Sequence, residues 1–212
     1  MRSGFKWVGV VAFFAAVAGP VFATTTEVLK NDKVVVTEVT LAPGAKEPVA
    51  GHHASVVVYK AGEKAEIRLD GGGVEHESIV RGEAVKEPAK AGILINTGAV
   101  PLKLVRVEFL TAGGNAMWGR AGLAPSYQMI FEDQYSRVYN IRVAPHASEP
   151  QHTHRDRVVV CLGGAQIEHV LPNGSIQNVV VKTDDVLWRQ EQTHKAHNIG
   201  ETELWEVVIE PK

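Results

Sequence analysis

The most informative part of the sequence is PQHTHRDRVVVCLGG, residues 150–164. It places two histidines two positions apart, ahead of an apolar run that ends in two glycines. Residues two apart in a β-strand face the same side, so His152 and His154 share one face if the segment is extended. Valine is common in strands, and glycine commonly ends them. The stretch therefore predicts a strand that carries two imidazoles beside a strand of the core.

The surroundings of this stretch recur earlier in the chain at a fixed offset of 102 residues, without a gap, so that 28–108 align with 130–210. The valine run 158–160 falls on 56–58. Other identical pairs are Ala42 and Ala144, Pro43 and Pro145, Glu47 and Glu149, Gly62 and Gly164, Asn96 and Asn198, and Glu108 and Glu210. We interpret the chain as an internal duplication joined by a linker, residues 111–127.

Each half has the patterns of a β-protein. Polar and apolar residues alternate over 65–69 and 103–109, as in half-buried strands. Turn signals such as Pro172-Asn173-Gly174 separate the runs, and no apolar stripe of helical period extends over a helix length. Short strands at regular spacing predict an all-β fold in each half, a sandwich or a barrel, over 24–110 and 128–212.

The first residues predict export. Arg2 and Lys6 precede an apolar run over 7–18, and Val21-Phe22-Ala23 places small residues where a signal peptidase cuts. We interpret 1–23 as a signal peptide, with an uncleaved membrane anchor as the alternative. The run is shorter than the ~20 residues that cross a bilayer. The mature chain is then expected outside the cytoplasm, periplasmic or secreted, with no membrane attachment.

Composition limits the partners. The net charge is −2, and no Lys/Arg cluster of the kind that nucleic acid requires is present. The chain has one cysteine, Cys161, so no intrachain disulfide forms, which fits a bacterial periplasm. Its apolar neighbours predict a buried core thiol.

A second histidine stretch, QTHKAHN over 192–198, follows about 40 residues after the first. Two imidazoles from one strand and one, His194, from a neighbouring strand can form a three-nitrogen face on a metal, with positions left open for a ligand. His197 is three residues from His194, so in a strand it faces the opposite side. Imidazole suits several divalent metals, so the ligands alone do not select one.

These two stretches resemble the two cupin motifs. The first motif has His-x-His and a Glu before a hydrophobic strand that ends in Gly, as in 150–164. The second has Gly-Asp, a turn, and then His-x-x-x-Asn, which is present from His194 to Asn198. The resemblance covers nearly all of the mature chain and implies a bicupin, with two jelly-roll barrels. It implies His152, His154 and His194 as metal ligands.

The motifs also depart from the cupin pattern. Arg157 stands where the family has its ligating Glu, and Asp156 is the only adjacent carboxylate. Cupins that resemble thiol dioxygenases bind iron through three histidines without a carboxylate. An inward-pointing Arg157 would bind an anionic group, so Arg157 and Asp156 are the predicted substrate-binding residues.

The first barrel has lost this set. At the offset of 102, the three histidines correspond to Ala50, His52 and Gly92, so a single imidazole remains. The prediction is one metal site per chain, in the second barrel.

Two functions follow from this pattern. In the first, which the resemblance implies, the chain is an exported bicupin whose divalent metal, iron or zinc, serves a dioxygenase-like or isomerase-like reaction on a small molecule. The alternative is a cupin that binds a small ligand or a metal without turnover, and a purely structural barrel would hold no metal. The sequence names no catalytic residue, and it leaves both a homodimer and a monomer open.

Overall fold

The computed structural model describes residues 23–49, 51, 53–87 and 90–212, and these form strands joined by turns, with no helix among them. The predicted signal peptide lies outside these ranges except for Ala23, so it stays a prediction. Within the same ranges, no helix has the length and apolar character needed to cross a membrane.

The first half forms two antiparallel sheets that face each other. The five-stranded sheet has the order β1-β2-β9-β4-β7, and the four-stranded sheet has the order β3-β8-β5-β6. The strands are β1 (Ala23–Lys30), β2 (Val34–Leu41), β3 (Lys46–Val49), β4 (Ser55–Ala61), β5 (Lys64–Leu69), β6 (Val74–Ser78), β7 (Ala84–Glu87), β8 (Gly92–Asn96) and β9 (Leu102–Phe109).

The second half has the same arrangement. Its five-stranded sheet has the order β10-β11-β18-β13-β16, and its four-stranded sheet has the order β12-β17-β14-β15. The strands are β10 (Gln128–Glu132), β11 (Ser136–Val143), β12 (Ser148–His154), β13 (Arg157–Gly163), β14 (Ala165–Val170), β15 (Ile176–Val181), β16 (Val186–Arg189), β17 (Gln192–Asn198) and β18 (Leu204–Pro211). The prediction of an all-β chain with two tandem barrels is confirmed.

The inner strands β4 and β13 of the two five-stranded sheets are buried on both faces, which explains the unbroken valine runs. In β13, Val158 and Val160 belong to a core shared with the first barrel, whereas Val159 and Cys161 belong to the interior of the second barrel. Val56 and Val58 of β4 lie in the same shared core. A strand buried on both faces needs apolar residues at every position, so it does not show the alternation of a half-exposed strand.

A buried asparagine ends the matching strand in each barrel. The Asn198 side-chain amide donates to the carbonyls of Val143 and Thr202, at 3.0 and 2.8 Å. Asn96 donates in the same way to the carbonyls of Leu41 and Val100. These asparagines satisfy backbone acceptors that the sheet leaves unpaired, so Asn198 ties the barrel wall together.

Candidate metal centre

The three predicted histidines meet inside the second barrel. β12 and β17 are antiparallel neighbours, and their register places His152 directly opposite His194. His154 follows two positions later and points to the same side. All three side chains are buried, and one nitrogen of each lies within 4.8 Å of the corresponding nitrogens of the others. The side chain of His197 lies on the other face of β17, as the spacing predicts.

Each of these histidines has an oxygen acceptor at its Nδ1. The Nδ1 of His152 lies 2.8 Å from the Pro150 carbonyl, and that of His194 lies 3.2 Å from the Gln192 amide oxygen. The Nδ1 of His154 lies 3.0 Å from the Tyr139 hydroxyl. The Tyr139 hydroxyl donates its own hydrogen to Glu210, at 2.9 Å, so it can only accept from His154. The hydrogen-bond network therefore assigns the proton of each neutral imidazole to Nδ1.

This tautomer leaves Nε2 of each ring without a hydrogen, so its electron pair can accept a hydrogen bond or bind a metal. The Nε2 atoms of His152 and His154 are 3.1 Å apart, and neither has a hydrogen to offer the other. Two facing electron pairs repel, whereas a cation between them attracts both. The donor set therefore fits a metal ion, and the acceptors at Nδ1 are the outer contacts that orient metal-bound histidines.

The surroundings keep these rings neutral. Burial lowers the pKa of His154 well below 6.5, and the charge of Arg157 lowers it further. Burial, with His169 nearby, lowers the pKa of His194 to about 3. Burial also lowers the pKa of His152. Because metals bind neutral imidazole, the rings are in the binding form at neutral pH and below it.

These shifts predict how metal affinity depends on pH. A lowered pKa means that protons compete with the metal only under more acidic conditions, so protonation of the three rings is expected to lower Zn²⁺ affinity by less than about 5-fold between pH 7 and 6. Three histidines with ordinary pKa values would lose roughly 30-fold over that interval. Calorimetric titration of metal-free Tyr127→Phe protein, which lacks the hydroxyl 3.0 Å from Nε2 of His152 and so has no phenol proton to release, measures the ratio at the two pH values. A loss near the larger value would contradict the lowered pKa values.

Two residues that the sequence analysis did not assign complete the cluster. His169 of β14 stacks on His194, with ring centroids 4.0 Å apart and planes 8° apart. Burial, with Arg157 and Arg189, lowers the pKa of His169 to about 4. Ala165 and Ile167 of β14 face the interior, so the two-residue alternation of a strand would have predicted that His169 faces inward as well. The Tyr127 hydroxyl lies 3.0 Å from Nε2 of His152, and no pattern in the predicted linker pointed to it.

Tyr139 also lies at the site, whereas Tyr135 and Trp188 pack against the core between the barrels. Cys161 is buried, as predicted, and burial raises the pKa of its thiol, which keeps it protonated and unreactive.

A cavity with a volume of about 140 Å³ extends from the histidines into the barrel. An engineered cavity of ~150 Å³ holds benzene, so the space suits a small molecule. About half of the lining residues are aliphatic, and the polar ones are His154, His169, His194, Arg157, Gln177, Arg189, Gln192 and Glu206. Apolar wall combined with placed polar groups is typical of small-ligand sites.

The structure separates the two predicted substrate-binding residues. Arg157 is buried at the start of β13 and lines the cavity, where its Nη1 donates to the Gln190 carbonyl at 2.9 Å. Asp156 lies outside the cavity and pairs with Lys33 at 3.0 Å. The Lys33 ammonium, through its hydrogen bond, lowers the pKa of Asp156. Neighbouring residues of an extended segment face opposite sides, so only Arg157 points inward.

A carboxylate on the inner wall was not predicted. Glu206 of β18 lines the cavity, and burial raises the pKa of its carboxyl group, against the opposing effect of Arg157 and Arg189. Glu206 is two residues from Leu204 and from Val208, both of which face the interior, so alternation places it inward.

The matching region of the first barrel is filled by an ion cluster. Arg106 of β9 is buried, and its Nε donates to Glu87 at 2.6 Å and its Nη1 to Glu47 at 3.3 Å. Among the described residues, the only group of three or more His, Cys, Asp or Glu with metal-binding spacing is in the second barrel. Ala50 and His52 lie outside the described residues, so the loss of the first site stays a prediction there.

The chain is similar to known proteins in its fold. No family model and no curated protein matches the sequence. Solved structures do: a cupin 2 conserved barrel domain protein from Leptotrichia buccalis has a TM-score of 0.59 at 13% identity, over 90% of this chain and 89% of that chain. AerE from Microcystis aeruginosa has 0.60 at 13% identity, over 90% and 99%. A variant of oxalate decarboxylase from Bacillus subtilis has 0.62 at 12%, over 88% and 72%.

The chain has the fold of a two-barrel cupin. The resemblance seen in its sequence motifs is thereby confirmed at the level of the fold. In this chain the segment that resembles the first motif supplies two of the clustered histidines on β12, and the segment that resembles the second supplies the third on β17. Arg157 stands where the motif has a carboxylate, and it contributes a positive charge to the cavity wall.

Proposed function

We propose that the second barrel of this cupin binds one divalent metal ion, iron or zinc, through His152, His154 and His194. The convergence of one nitrogen from each of the three buried histidines, with an oxygen acceptor at each Nδ1, is the observation that carries the proposal. The structurally similar oxalate decarboxylase of Bacillus subtilis has Mn(II) centres, which supports a divalent metal in general rather than one element.

We infer that the ion acts on a small molecule with a negatively charged group. When bound, a divalent ion supplies a Lewis acid with open positions. Arg157, on the cavity wall, offers its guanidinium to a carboxylate or similar anion. Glu206 has a raised pKa and is suited to hold a proton near that ligand. The aliphatic half of the wall favours an apolar portion on the ligand.

Binding without turnover is the second candidate. Replacement of the usual ligating carboxylate by Arg157 favours it, because a nearby cation weakens metal binding until an anion lies between the two. We also propose that the chain arose by duplication, which the equal strand orders of the two barrels support. We propose separately that the chain is exported, because residues 1–23 have the pattern of a signal peptide.

Elemental analysis of protein purified without oxygen tests the metal proposal. We expect about one ion per chain in the wild type and in His197→Ala, whose side chain lies on the outer face of β17. His194→Ala removes one of three ligands and is expected to lower metal affinity at least about 100-fold, which is ~2.7 kcal/mol. Equal metal content in His194→Ala and His197→Ala would contradict the three-histidine metal site.

Activity then separates the two candidates. Metal-loaded protein is mixed with a panel of small carboxylic acids while oxygen uptake and product formation are followed. Turnover that is lost in His194→Ala supports an enzyme, whereas ligand binding without turnover supports the second candidate.

A further inference from the structure

The segment before the second barrel is built into the metal centre. Residues 111–127 read as a linker, but Ala124 and Tyr127 are buried in the core of the second barrel. The Thr153 amide on β12 donates to the Gly122 carbonyl at 2.8 Å. The segment therefore packs along the strand that carries His152 and His154.

Two arginines hold the segment in place. Arg120 donates to the carbonyls of Tyr127, Ala124 and Pro125, at 2.6, 2.9 and 3.0 Å. Arg137 of β11 donates to two further carbonyls of the segment, at 3.0 and 2.9 Å. Hydrogen bonds from charged donors are stronger than neutral ones, so the path of the segment is well fixed.

Packing also fixes the ring of Tyr127. It stacks on Tyr139, with centroids 5.8 Å apart and planes 9° apart, and it lies 5.7 Å from the ring of His154. The side chain is 3% exposed. Its hydroxyl lies 3.0 Å from Nε2 of His152, and no other hydrogen bond of that hydroxyl is found within the described residues. Tyr127 thus directs one polar atom at the histidine cluster.

A metal ion bound to the histidines would remove the hydrogen-bond acceptor of the Tyr127 hydroxyl. Nε2 of His152 is its acceptor, and a metal ion takes the same electron pair. A buried hydroxyl without a partner is unfavourable, so it needs a new one beside the ion. Ligand atoms about 2.1 Å from one ion lie roughly 3.0–3.4 Å apart. The separations from Nε2 of His152 to the Tyr127 oxygen and to Nε2 of His154, 3.0 and 3.1 Å, have this size.

We propose that the Tyr127 oxygen is a fourth ligand of the metal ion, on the side of the cluster closed by the segment 111–127. The proposal rests on the proposed three-histidine site. On coordination the phenol releases its proton to solvent, as ligands of a divalent ion commonly do. The oxygen then supplies the negative charge that a carboxylate supplies in the motif, and it offsets the charge of Arg157.

Metal titration of Tyr127→Phe tests the assignment. The substitution keeps the stacked ring and removes only the oxygen. We expect Zn²⁺ affinity to fall at least about 10-fold, the size of effect reported even for outer-shell contacts. Tyr135→Phe, in the core between the barrels, is the control and is expected to keep wild-type affinity. Thermal unfolding of the metal-free variants verifies that both are folded.

Spectra of the wild type loaded with Fe³⁺ or Cu²⁺ provide a second measurement, which does not depend on the variant folding. A phenolate ligand gives a visible charge-transfer band and tyrosinate vibrations in resonance Raman spectra, both expected in the wild type and in Tyr135→Phe. Absence of the band with tight metal binding, or unchanged affinity in Tyr127→Phe, would overturn the fourth ligand and leave the three-histidine site standing. Absence of metal binding by the wild type would overturn both.

Discussion

Replacing Arg137 by Met is expected to lower the free energy of unfolding by about 3–5 kcal/mol, the range for breaking a buried ion pair by removing one partner. Arg137 and Glu210 are both fully buried, and the Arg137 Nε donates to Glu210 at 2.7 Å. The variant would leave the Glu210 carboxylate in the interior with the hydroxyl of Tyr139 and the amide of Arg155 as its remaining donors.

Urea denaturation followed by tryptophan fluorescence measures this loss. The matched control is Arg142→Met on the same strand, because Arg142 pairs with Glu203 where both side chains are about half exposed, 50% and 44%. An exposed pair contributes about 1 kcal/mol or less. A loss for Arg137→Met no larger than that of the control would contradict a structural role for the buried pair.

The same substitution is expected to weaken the metal centre. Glu210 accepts from Tyr139, Tyr139 accepts from His154, and Arg137 also holds the segment that carries Tyr127. The Arg137–Glu210 pair therefore positions both Tyr139, which contacts His154, and the segment that carries Tyr127. Zn²⁺ titration under conditions where the variant is folded checks this coupling.

Replacing Arg106 by Met in the first barrel is expected to have an effect of similar size, about 3–5 kcal/mol. Burial alone would lower the pKa of Arg106, but its contacts with Glu87 and Glu47 raise it above the ordinary value, so the guanidinium stays charged. Without it, the two buried carboxylates face each other with only the hydroxyls of Ser55 and Thr25 as donors among the described side chains.

Two further variants separate charge from packing in this cluster. Lys103→Met, on the same strand at an exposed position, is expected to change the free energy of unfolding by less than about 0.5 kcal/mol. The triple variant Arg106→Met, Glu47→Gln, Glu87→Gln removes all three charges and is expected to recover at least half of the loss, because no unpaired charge stays buried. A triple variant as unstable as the single one would attribute the loss to packing.

The sequence indicated the strands and the three histidines because both depend on short-range rules. Side chains two apart in a strand share a face, so His152 and His154 were paired by spacing alone. The motif that resembles cupins then connected them to His194 across 40 residues. The same rule placed His197 on the outer face, and applied along β14 and β18 it would also have placed His169 and Glu206 inside.

The partners of those residues depend on how distant segments pack. Asp156 and Arg157 were grouped because they are adjacent, but the pairing of Asp156 with Lys33 requires the first barrel to lie against the second. Val158 and Val159 read as one apolar run, and only the packing of the two sheets assigns them to different cores.

The residue pattern was enough to predict an all-β chain of two similar halves and the strand face on which its histidines lie, because strand periodicity is a local property of the backbone. The folded structure was needed to show which nitrogen of each ring lacks a hydrogen, that Arg106 fills the first barrel, and that the segment before the second barrel brings Tyr127 to His152. Those outcomes depend on hydrogen bonds and burial between residues far apart in the chain, which no local pattern encodes.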